Sequence, residues 1–157
     1  MRVHRSMIAA LFIGLGSVYV HADDKVITVP DDDAAMNAAI AKARSRLPKF
    51  WTRLASPQPG DSYFSLKLRF TDGDIVEHFW CDSVNGNESA ATCTIGNESN
   101  SVKTVHLGDV VAVKNEDISD WMIMTNQRIV GAETLRALLP RMSKEEAEGY
   151  RALLTDE

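Results

Sequence analysis

The stretch that decides the fold is residues 63–82, Tyr-Phe-Ser-Leu-Lys-Leu-Arg-Phe-Thr-Asp-Gly-Asp-Ile-Val-Glu-His-Phe-Trp-Cys-Asp. In its first half, apolar side chains alternate with polar ones, so that one face would carry Phe64, Leu66, Leu68 and Phe70. This alternation predicts a β-strand with one buried and one exposed face. The dipeptide Asp72-Gly73 supplies the positive φ angles of a two-residue turn, so residues 75–82 are expected to return as an antiparallel strand.

The register of this hairpin decides which side chains of the returning strand face the core. With Asp72 and Gly73 as the turn residues, the paired residue numbers sum to 145 and Leu68 lies opposite Glu77. Glu77 then points into the apolar face. A one-residue bulge would slip the register and direct the alternate side chains inward, namely Val76, His78 and Trp80. Either register places a titratable side chain against the core.

Helical patterns flank this hairpin at both ends of the chain. Acidic residues followed by apolar residues at helical spacing, with a proline at position 48, predict a helix from Asp33 to Leu47. A short apolar continuation follows it. Two closing helices are expected over residues 133–139 and 143–154, and Ser143 with Glu146 forms a capping box for the second.

Further strands are expected around residues 91–95, 102–107, 110–113, 118–124 and 128–130, separated by turn-forming residues. All of them are expected to pair antiparallel. The predicted fold class is α+β: a curved antiparallel sheet of five to six strands, with an N-terminal helix and two C-terminal helices.

The N-terminus has the pattern of a secretory signal peptide. Arg2 and Arg5 precede an apolar run over residues 7–20, and Val20-His21-Ala22 fits a cut after Ala22. The run is too short to span a bilayer comfortably, which disfavours the alternative of an uncleaved anchor. We therefore expect a signal peptide at residues 1–22 and one soluble domain at residues 23–157, in the periplasm or secreted.

Composition and charge limit the classes of partner. The chain of 157 residues is 45% hydrophobic and 25% charged, as expected for a single globular domain. Cleavage would leave 15 basic and 22 acidic residues, a net charge of −7. Such a charge repels phosphate backbones, so nucleic acid and anionic membranes are poor partners. A cationic envelope or toxin protein, or solubility alone, explains the acidity better, and no sequence signal indicates an oligomeric state.

Cys81 and Cys93 are the only cysteines, and an exported chain with an even number of them normally forms a disulfide. The alternative is a zinc site that adds His78 and His106 to the two thiolates. However, His78 and Cys81 lie three residues apart on a strand, so their side chains leave opposite faces. We therefore expect a disulfide and no metal.

Several short motifs occur in a distinctive order along the mature chain. They are an Ala-rich helix, Phe50-Trp51, the alternating strand, Glu77-His78-Phe79-Trp80, Gly96-Asn97, Gly108, Ile118 with Asp120-Trp121-Met122, and Gly131 followed by Thr134 and Arg136. This order resembles the YegJ-like family of bacterial proteins, a domain-of-unknown-function family (DUF2314). The resemblance implies a bacterial, periplasmic protein and brings no activity or cofactor with it. It also implies that Cys81 and Cys93 replace ordinary strand residues of relatives, so neither sulfur has a catalytic role.

Three polar residues are candidates for chemistry, although no catalytic residue is assigned. A desolvated Glu77 could act as a general acid, and with Asp120 it would form the carboxylate pair used in glycan cleavage. The structural alternative is a buried ion pair of Glu77 with Arg136, which would tie the hairpin to the closing helix.

Motifs for phosphate loops, zinc helices and nucleophile elbows are missing from the sequence. The favoured hypothesis is therefore a non-enzymatic binding or inhibitory module for an envelope protein. The alternative is a small envelope hydrolase that uses Glu77 and Asp120.

Overall fold

The computed structural model describes residues 6–9, 27–30 and 32–155. Within them, the structure has four α-helices and eight β-strands. In chain order these are β1 (Ser6–Ala9), β2 (Ile27–Pro30), α1 (Ala34–Ser45), α2 (Leu47–Ala55), β3 (Asp61–Asp72), β4 (Ile75–Asn87), β5 (Ala90–Ile95), β6 (Val110–Val113), β7 (Ile118–Thr125), β8 (Arg128–Gly131), α3 (Glu133–Leu138) and α4 (Lys144–Leu153). Short 3₁₀ turns precede β7 and follow α3.

The strands form one sheet in the order β2-β1-β4-β3-β7-β8, while β5 pairs with the second half of β4, and β6 pairs with β5. All pairs among strands β3 to β8 are antiparallel, whereas β1 lies parallel to β4. The sheet, the helix before it and the two helices after it confirm the predicted α+β fold. Apart from β1, the predicted signal peptide and its cut after Ala22 lie outside the described residues. Such a cut would remove β1, which pairs with β2 and with residues 76–78 of β4. No helix in the described ranges is long and apolar enough to cross a membrane.

The β3–β4 hairpin forms with a turn one residue later than predicted. Asp72 pairs with Ile75, so Gly73 and Asp74 are the turn residues, and Gly73 takes the positive φ of +58° that the first position of a type II′ turn requires. The paired numbers therefore sum to 147 instead of 145. Because this shift is two residues, every side chain keeps its predicted face, and Glu77 lies on the same face as Leu68. The bulged alternative is not adopted.

Both faces of the hairpin are buried, whereas the sequence pattern predicted one exposed face. On the first face, Leu66, Leu68 and Phe79 pack with Phe50 of α2 and Trp121 of β7. On the second face, the core is formed by Trp80, Met122 and Ile129 with Leu135 of α3 and Ala147 of α4.

The polar side of β3 is consequently enclosed as well. Ser65 and Lys67 are 0% and 3% exposed, because helices α3 and α4 cover the face that alternation assigned to solvent. Expecting a half-exposed strand was therefore wrong for this part of β3.

The first helix begins as predicted. The Asp33 side chain caps α1 by accepting the Met36 N–H at 2.8 Å. The apolar continuation after it is itself a helix, α2, whose first turn contains Pro48. Proline is tolerated there, since the N–H groups of a first helical turn have no intrahelical partner. The capping box of Ser143 and Glu146 also forms at the start of α4.

The strand predicted at residues 102–107 is absent, and the segment between β5 and β6 is a loop. Val102 and Val105 still insert into the core, each 1% exposed, which explains the apolar pattern that suggested a strand. The backbone N–H groups of residues 100–102 donate to a side chain instead of to a neighbouring strand. The other predicted strands are present.

Candidate functional site

Glu77 lies in β4 on the apolar face, and the residue is 1% exposed. Backbone N–H groups of the β5–β6 loop surround it. Oε1 accepts from Asn100 at 2.9 Å, and Oε2 accepts from Ser101 at 3.1 Å and from Val102 at 3.0 Å. The Ser99 hydroxyl lies 3.1 Å from Oε2 as well. The carboxylate therefore replaces the strand partner that this loop lacks.

These hydrogen bonds determine the protonation state of Glu77. Burial acts to raise the pKa of the carboxyl group, but the backbone donors of Asn100, Val102 and Ser101 outweigh it and hold the pKa below its ordinary value. Glu77 is thus an anion at neutral pH and cannot serve as a general acid there. The desolvated, protonated form considered from the sequence is not what the structure supports.

The predicted ion pair between Glu77 and Arg136 does not form. Arg136, in α3, donates through Nε to the Gly131 carbonyl at 3.2 Å and through its terminal nitrogen to the Thr155 carbonyl at 2.5 Å. Its contacts therefore tie α3 to the end of β8 and to the segment after α4. The charge of Glu77 is balanced by aligned peptide dipoles instead of a cation.

Asp120, in β7, is completely buried and accepts four hydrogen bonds. Oδ1 accepts the backbone N–H of Trp121 at 2.8 Å and that of Glu133 at 3.2 Å. Oδ2 accepts the Thr134 N–H at 2.7 Å and the Thr134 hydroxyl at 2.6 Å. The residue before α3 is Ala132, which has no side-chain acceptor, so Asp120 caps this helix from a neighbouring strand.

Lys67 lies on the same face, directly opposite Asp120 in the β3–β7 ladder. Its Nζ donates to the Thr134 hydroxyl at 3.2 Å and sits 5.4 Å from the centre of the Trp80 ring. Burial lowers the pKa of Lys67 to about 8, with the Asp120 charge acting against the shift. Burial likewise raises the pKa of Asp120, opposed by its hydrogen bonds and by Lys67. The two groups form a sealed structural network.

The structure does not bring Glu77 and Asp120 together. Glu77 pairs with Phe70 and faces the Leu68 side, whereas Asp120 pairs with Lys67 and faces the opposite side of the sheet. Each carboxylate is occupied by its own set of donors. A two-carboxylate mechanism needs both groups beside one substrate bond, and this arrangement does not provide that.

The cysteines form the predicted disulfide, with the Cα atoms of Cys81 and Cys93 5.5 Å apart. Both sulfurs are thereby unavailable to the alternative zinc site. His106 is exposed and lies 3.4 Å from an Asp109 carboxylate oxygen. Within the described residues, no group of three or more His, Cys, Asp or Glu side chains is arranged to hold a metal ion.

The structure also contains a cleft that the sequence did not predict. It has a volume of about 280 Å³ and lies between α1, strands β3 and β4, and residues 116–119. His78 and Ser119 line it, and His78 Nδ1 lies 2.8 Å from Ser119 Oγ. Neither residue belongs to a recognisable motif. They are 41 positions apart, and they come together only because β4 and β7 both pair with β3. The sequence pattern identifies His78 as a strand residue that faces the core only in the bulged register, or as a zinc ligand.

A comparison with protein-family models identifies one family. Residues 33–154 match the model described as "Uncharacterized protein conserved in bacteria (DUF2314)". This match covers the helices, strands β3 to β8 and the loop that surrounds Glu77.

Curated relatives extend this similarity over most of the chain. The chain is 33% identical over 148 residues to "Uncharacterized protein YegJ" of Escherichia coli (strain K12), covering 94% of this chain and 95% of that protein. It is 29% identical over 138 residues to a protein of Neisseria meningitidis serogroup B named "Putative ankyrin repeat protein", covering 83% of this chain and 54% of the relative. No solved structure matches the chain. The chain belongs to the DUF2314 family of uncharacterised bacterial proteins.

Proposed function

We propose that this protein is an exported, non-enzymatic binding module of the bacterial envelope. The observation that carries the proposal is the state of its two candidate catalytic carboxylates. Glu77 holds a loop and Asp120 caps a helix, each with four hydrogen-bond donors in reach, and the two lie on opposite faces of the sheet. Groups that are fully used in the fold are not free to move protons to and from a substrate.

The disulfide supports export. Disulfides persist in oxidising compartments such as the periplasm and are rare in the bacterial cytoplasm. Together with the leader-like residues 1–22, the Cys81–Cys93 bridge favours a protein that works outside the cytoplasm.

Fusion to a reporter that is active only after export tests this part of the proposal. Alkaline phosphatase fused after residue 30 should be active, and Arg2→Glu/Arg5→Glu should reduce that activity by reversing the charge of the leader. A fusion that is inactive with the natural leader would contradict export.

The charge distribution indicates how a partner would be held. Residues 32–155 contain 17 acidic and 14 basic side chains, so the domain itself is nearly balanced. The other residues of the proposed mature chain add Asp23, Asp24, Asp31, Asp156 and Glu157 against Lys25 alone. More than half of the acidic excess therefore belongs to the ends of the mature chain. We propose that these ends contact a cationic envelope or toxin protein by electrostatic attraction. Inhibition of that protein would require the same contact.

Retention of proteins from an envelope extract tests the partner. The immobilised, oxidised protein should retain a basic protein at 50 mM salt and release it at 500 mM, because screening weakens exposed charge pairs. A variant with Asp23→Asn and Asp24→Asn should retain less, while Asp74→Asn with Glu88→Gln, which removes the same charge from exposed hairpins, should not. Retention of no protein at any salt concentration would overturn this proposal.

Hydrolysis assays test the absence of an enzymatic role. Purified protein incubated with envelope glycans and peptides should release no soluble fragments. Turnover that disappears in a folded Glu77→Gln variant would restore the hydrolase alternative.

A further inference from the structure

One residue that lines the cleft beside α1, His78, has a polar atom that the fold leaves unsatisfied. His78 is 3% exposed, and its Nε2 has no hydrogen-bond partner among the described residues. Buried polar atoms are nearly always paired, so an unpaired one on a residue that lines a cleft requires an explanation. A hydrogen-bond donor brought by a ligand would provide it.

The contacts of Ser119 determine what Nε2 can do. The Ser119 hydroxyl lies 3.1 Å from the Lys67 carbonyl, which can only accept, and 2.8 Å from His78 Nδ1. One assignment satisfies both contacts: the hydroxyl donates to the carbonyl, and Nδ1 carries a proton that it donates to the hydroxyl. Nε2 is then a bare lone pair. Burial, followed by the charges of Lys67 and Arg69, lowers the pKa of His78 to about 3, so the ring is neutral at physiological pH.

Two arginines lie at the same cleft. Arg69 is the direct cross-strand neighbour of His78, and its guanidinium donates to the Thr71 hydroxyl at 3.0 Å. Arg44, in α1, donates to the Glu116 carbonyl at 3.3 Å. Neither has a carboxylate oxygen within 4 Å among the described residues, so both guanidinium groups have donors to spare for an anion.

The remaining lining residues define the rest of a ligand. Glu116 and Asp117 also line the cleft, so its lining carries two acidic and two basic side chains. Ile40, Val76 and Ile118 provide an apolar wall. The volume of about 280 Å³ lies just below the usual range for small-molecule pockets, so the ligand must be small.

We propose that this cleft binds a free α-amino acid with a short apolar side chain. The ligand carboxylate contacts Arg44 and Arg69, its ammonium group donates to His78 Nε2 beside the acidic residues 116–117, and its side chain packs on Ile40 and Val76. A zwitterion is the ligand class that matches a lining with two arginines, two acidic residues and a neutral hydrogen-bond acceptor. This site is separate from the charged chain ends, and the two proposals can fail independently.

Calorimetric titration of the oxidised protein with L-valine and D-valine tests the site. At least one enantiomer should bind saturably. Isovalerate, which lacks the ammonium group, and isobutylamine, which lacks the carboxylate, should each bind at least tenfold more weakly, because each leaves one set of partners unsatisfied.

Three variants separate the contributions. Arg69→Gln should weaken valine binding about tenfold or more, and its exposed position leaves the fold intact. His78→Phe keeps the ring volume and removes the acceptor, so it should weaken binding of valine and isobutylamine but not of isovalerate. Arg151→Gln, an exposed arginine on α4 away from the cleft, is the matched control and should bind as the natural protein does. Near-ultraviolet circular dichroism confirms folding of each variant.

Three results would overturn the proposal. They are no saturable binding of either valine enantiomer up to 10 mM, equal binding of valine and isovalerate, and unchanged valine affinity in the folded Arg69→Gln variant. A fourth result would also reject the amino-acid assignment: if lactate binds as tightly as valine while isobutylamine does not bind, the cleft is a hydroxycarboxylate site.

Discussion

The carboxylate of Glu77 in β4 accepts the backbone N–H of Val102 at 3.0 Å, although the two residues are 25 apart in the chain. Through this bond and those to residues 99–101, a single side chain supports the loop between β5 and β6. The loop in turn inserts Val102 and Val105 into the core.

Replacing this carboxylate should destabilise the protein. We expect Glu77→Gln to lower the free energy of unfolding by about 2 kcal/mol, because an amide oxygen is a weaker acceptor and its NH₂ group meets backbone donors. Urea denaturation measures the change. Glu98→Gln, an exposed glutamate of the same loop, is the control and should change stability by less than about 0.5 kcal/mol. A Glu77→Gln protein as stable as the control would show that the loop does not depend on the charge.

The same substitution should change the response to acid. Since the folded-state pKa of Glu77 lies below its ordinary value of 4.5, its contribution to stability is complete above pH 4.5 and is lost as the pH falls through the folded value. The natural protein should therefore lose stability below pH 4.5 more steeply than Glu77→Gln. Equal slopes for the two proteins in this range would contradict the depressed pKa.

Among the candidate residues, substitution of Asp120 should reduce the free energy of unfolding most. Asp120→Asn removes the anion that caps α3 and leaves the Lys67 ammonium buried without a counter-charge, so we expect a loss of about 3–5 kcal/mol in urea denaturation. Asp74→Asn, in the exposed hairpin turn, serves as the control. The double variant Asp120→Asn/Lys67→Met should recover part of the loss. If the double variant is less stable than Asp120→Asn alone, the two charges do not compensate each other.

His78 should make the free energy of unfolding depend on pH above the range in which Glu77 titrates and below neutrality. Its folded pKa is about 3 against an ordinary 6.5, so below pH 6.5 the unfolded chain binds a proton that the folded protein does not. The free energy of unfolding should therefore decrease as the pH is lowered from 6.5 to 4.5, with a slope approaching about 1.4 kcal/mol per pH unit. The slope should be absent in His78→Phe and retained in His106→Gln, which removes an exposed histidine. A slope retained in His78→Phe would assign the proton to another group.

The disulfide joins residues 12 apart in sequence. In the chain-entropy model, a loop of this length contributes roughly 3 kcal/mol. The Cys81→Ser/Cys93→Ser protein should therefore unfold at a lower urea concentration than the oxidised protein, while the oxidised and reduced natural proteins should differ in the same direction. Equal midpoints for oxidised and reduced protein would show that the bridge adds nothing to stability.

Local sequence patterns predicted most of the elements. The alternation in β3, the Asp33 cap and the Ser143–Glu146 box are determined within a few residues, so they could be read directly. The burial of Lys67 could not be predicted in this way. It depends on helices about seventy residues later in the chain, which cover a face of β3 whose sequence is polar. The strand predicted at residues 102–107 failed for the opposite reason. Its valines are buried, but its amides donate to side chains: that of Val102 to Glu77, that of Lys103 to Asp72 and that of His106 to Asp109.

The candidate site divides in the same way. Glu77 was correctly placed on the apolar face, since a register shift of two residues leaves each side chain on the same face of the sheet. The predicted hydrogen-bond and ion-pair partners of Glu77 were wrong. An arginine was a reasonable partner for a buried carboxylate, whereas backbone amides leave no trace in a side-chain pattern. The pairing of His78 with Ser119 required the order of strands β4, β3 and β7, which composition and spacing do not contain.

The loop that Glu77 supports has consequences for engineering. Its anchors are the amides of residues 100–103, of which that of Lys103 donates to Asp72, and the buried Val105, while the side chains of Lys103 and Thr104 are exposed. A short flexible peptide tag placed between those two residues would leave both anchors in place. Such a tag offers a labelling position that avoids the chain ends and the cleft beside α1, so either proposed interaction could be followed without obstructing it.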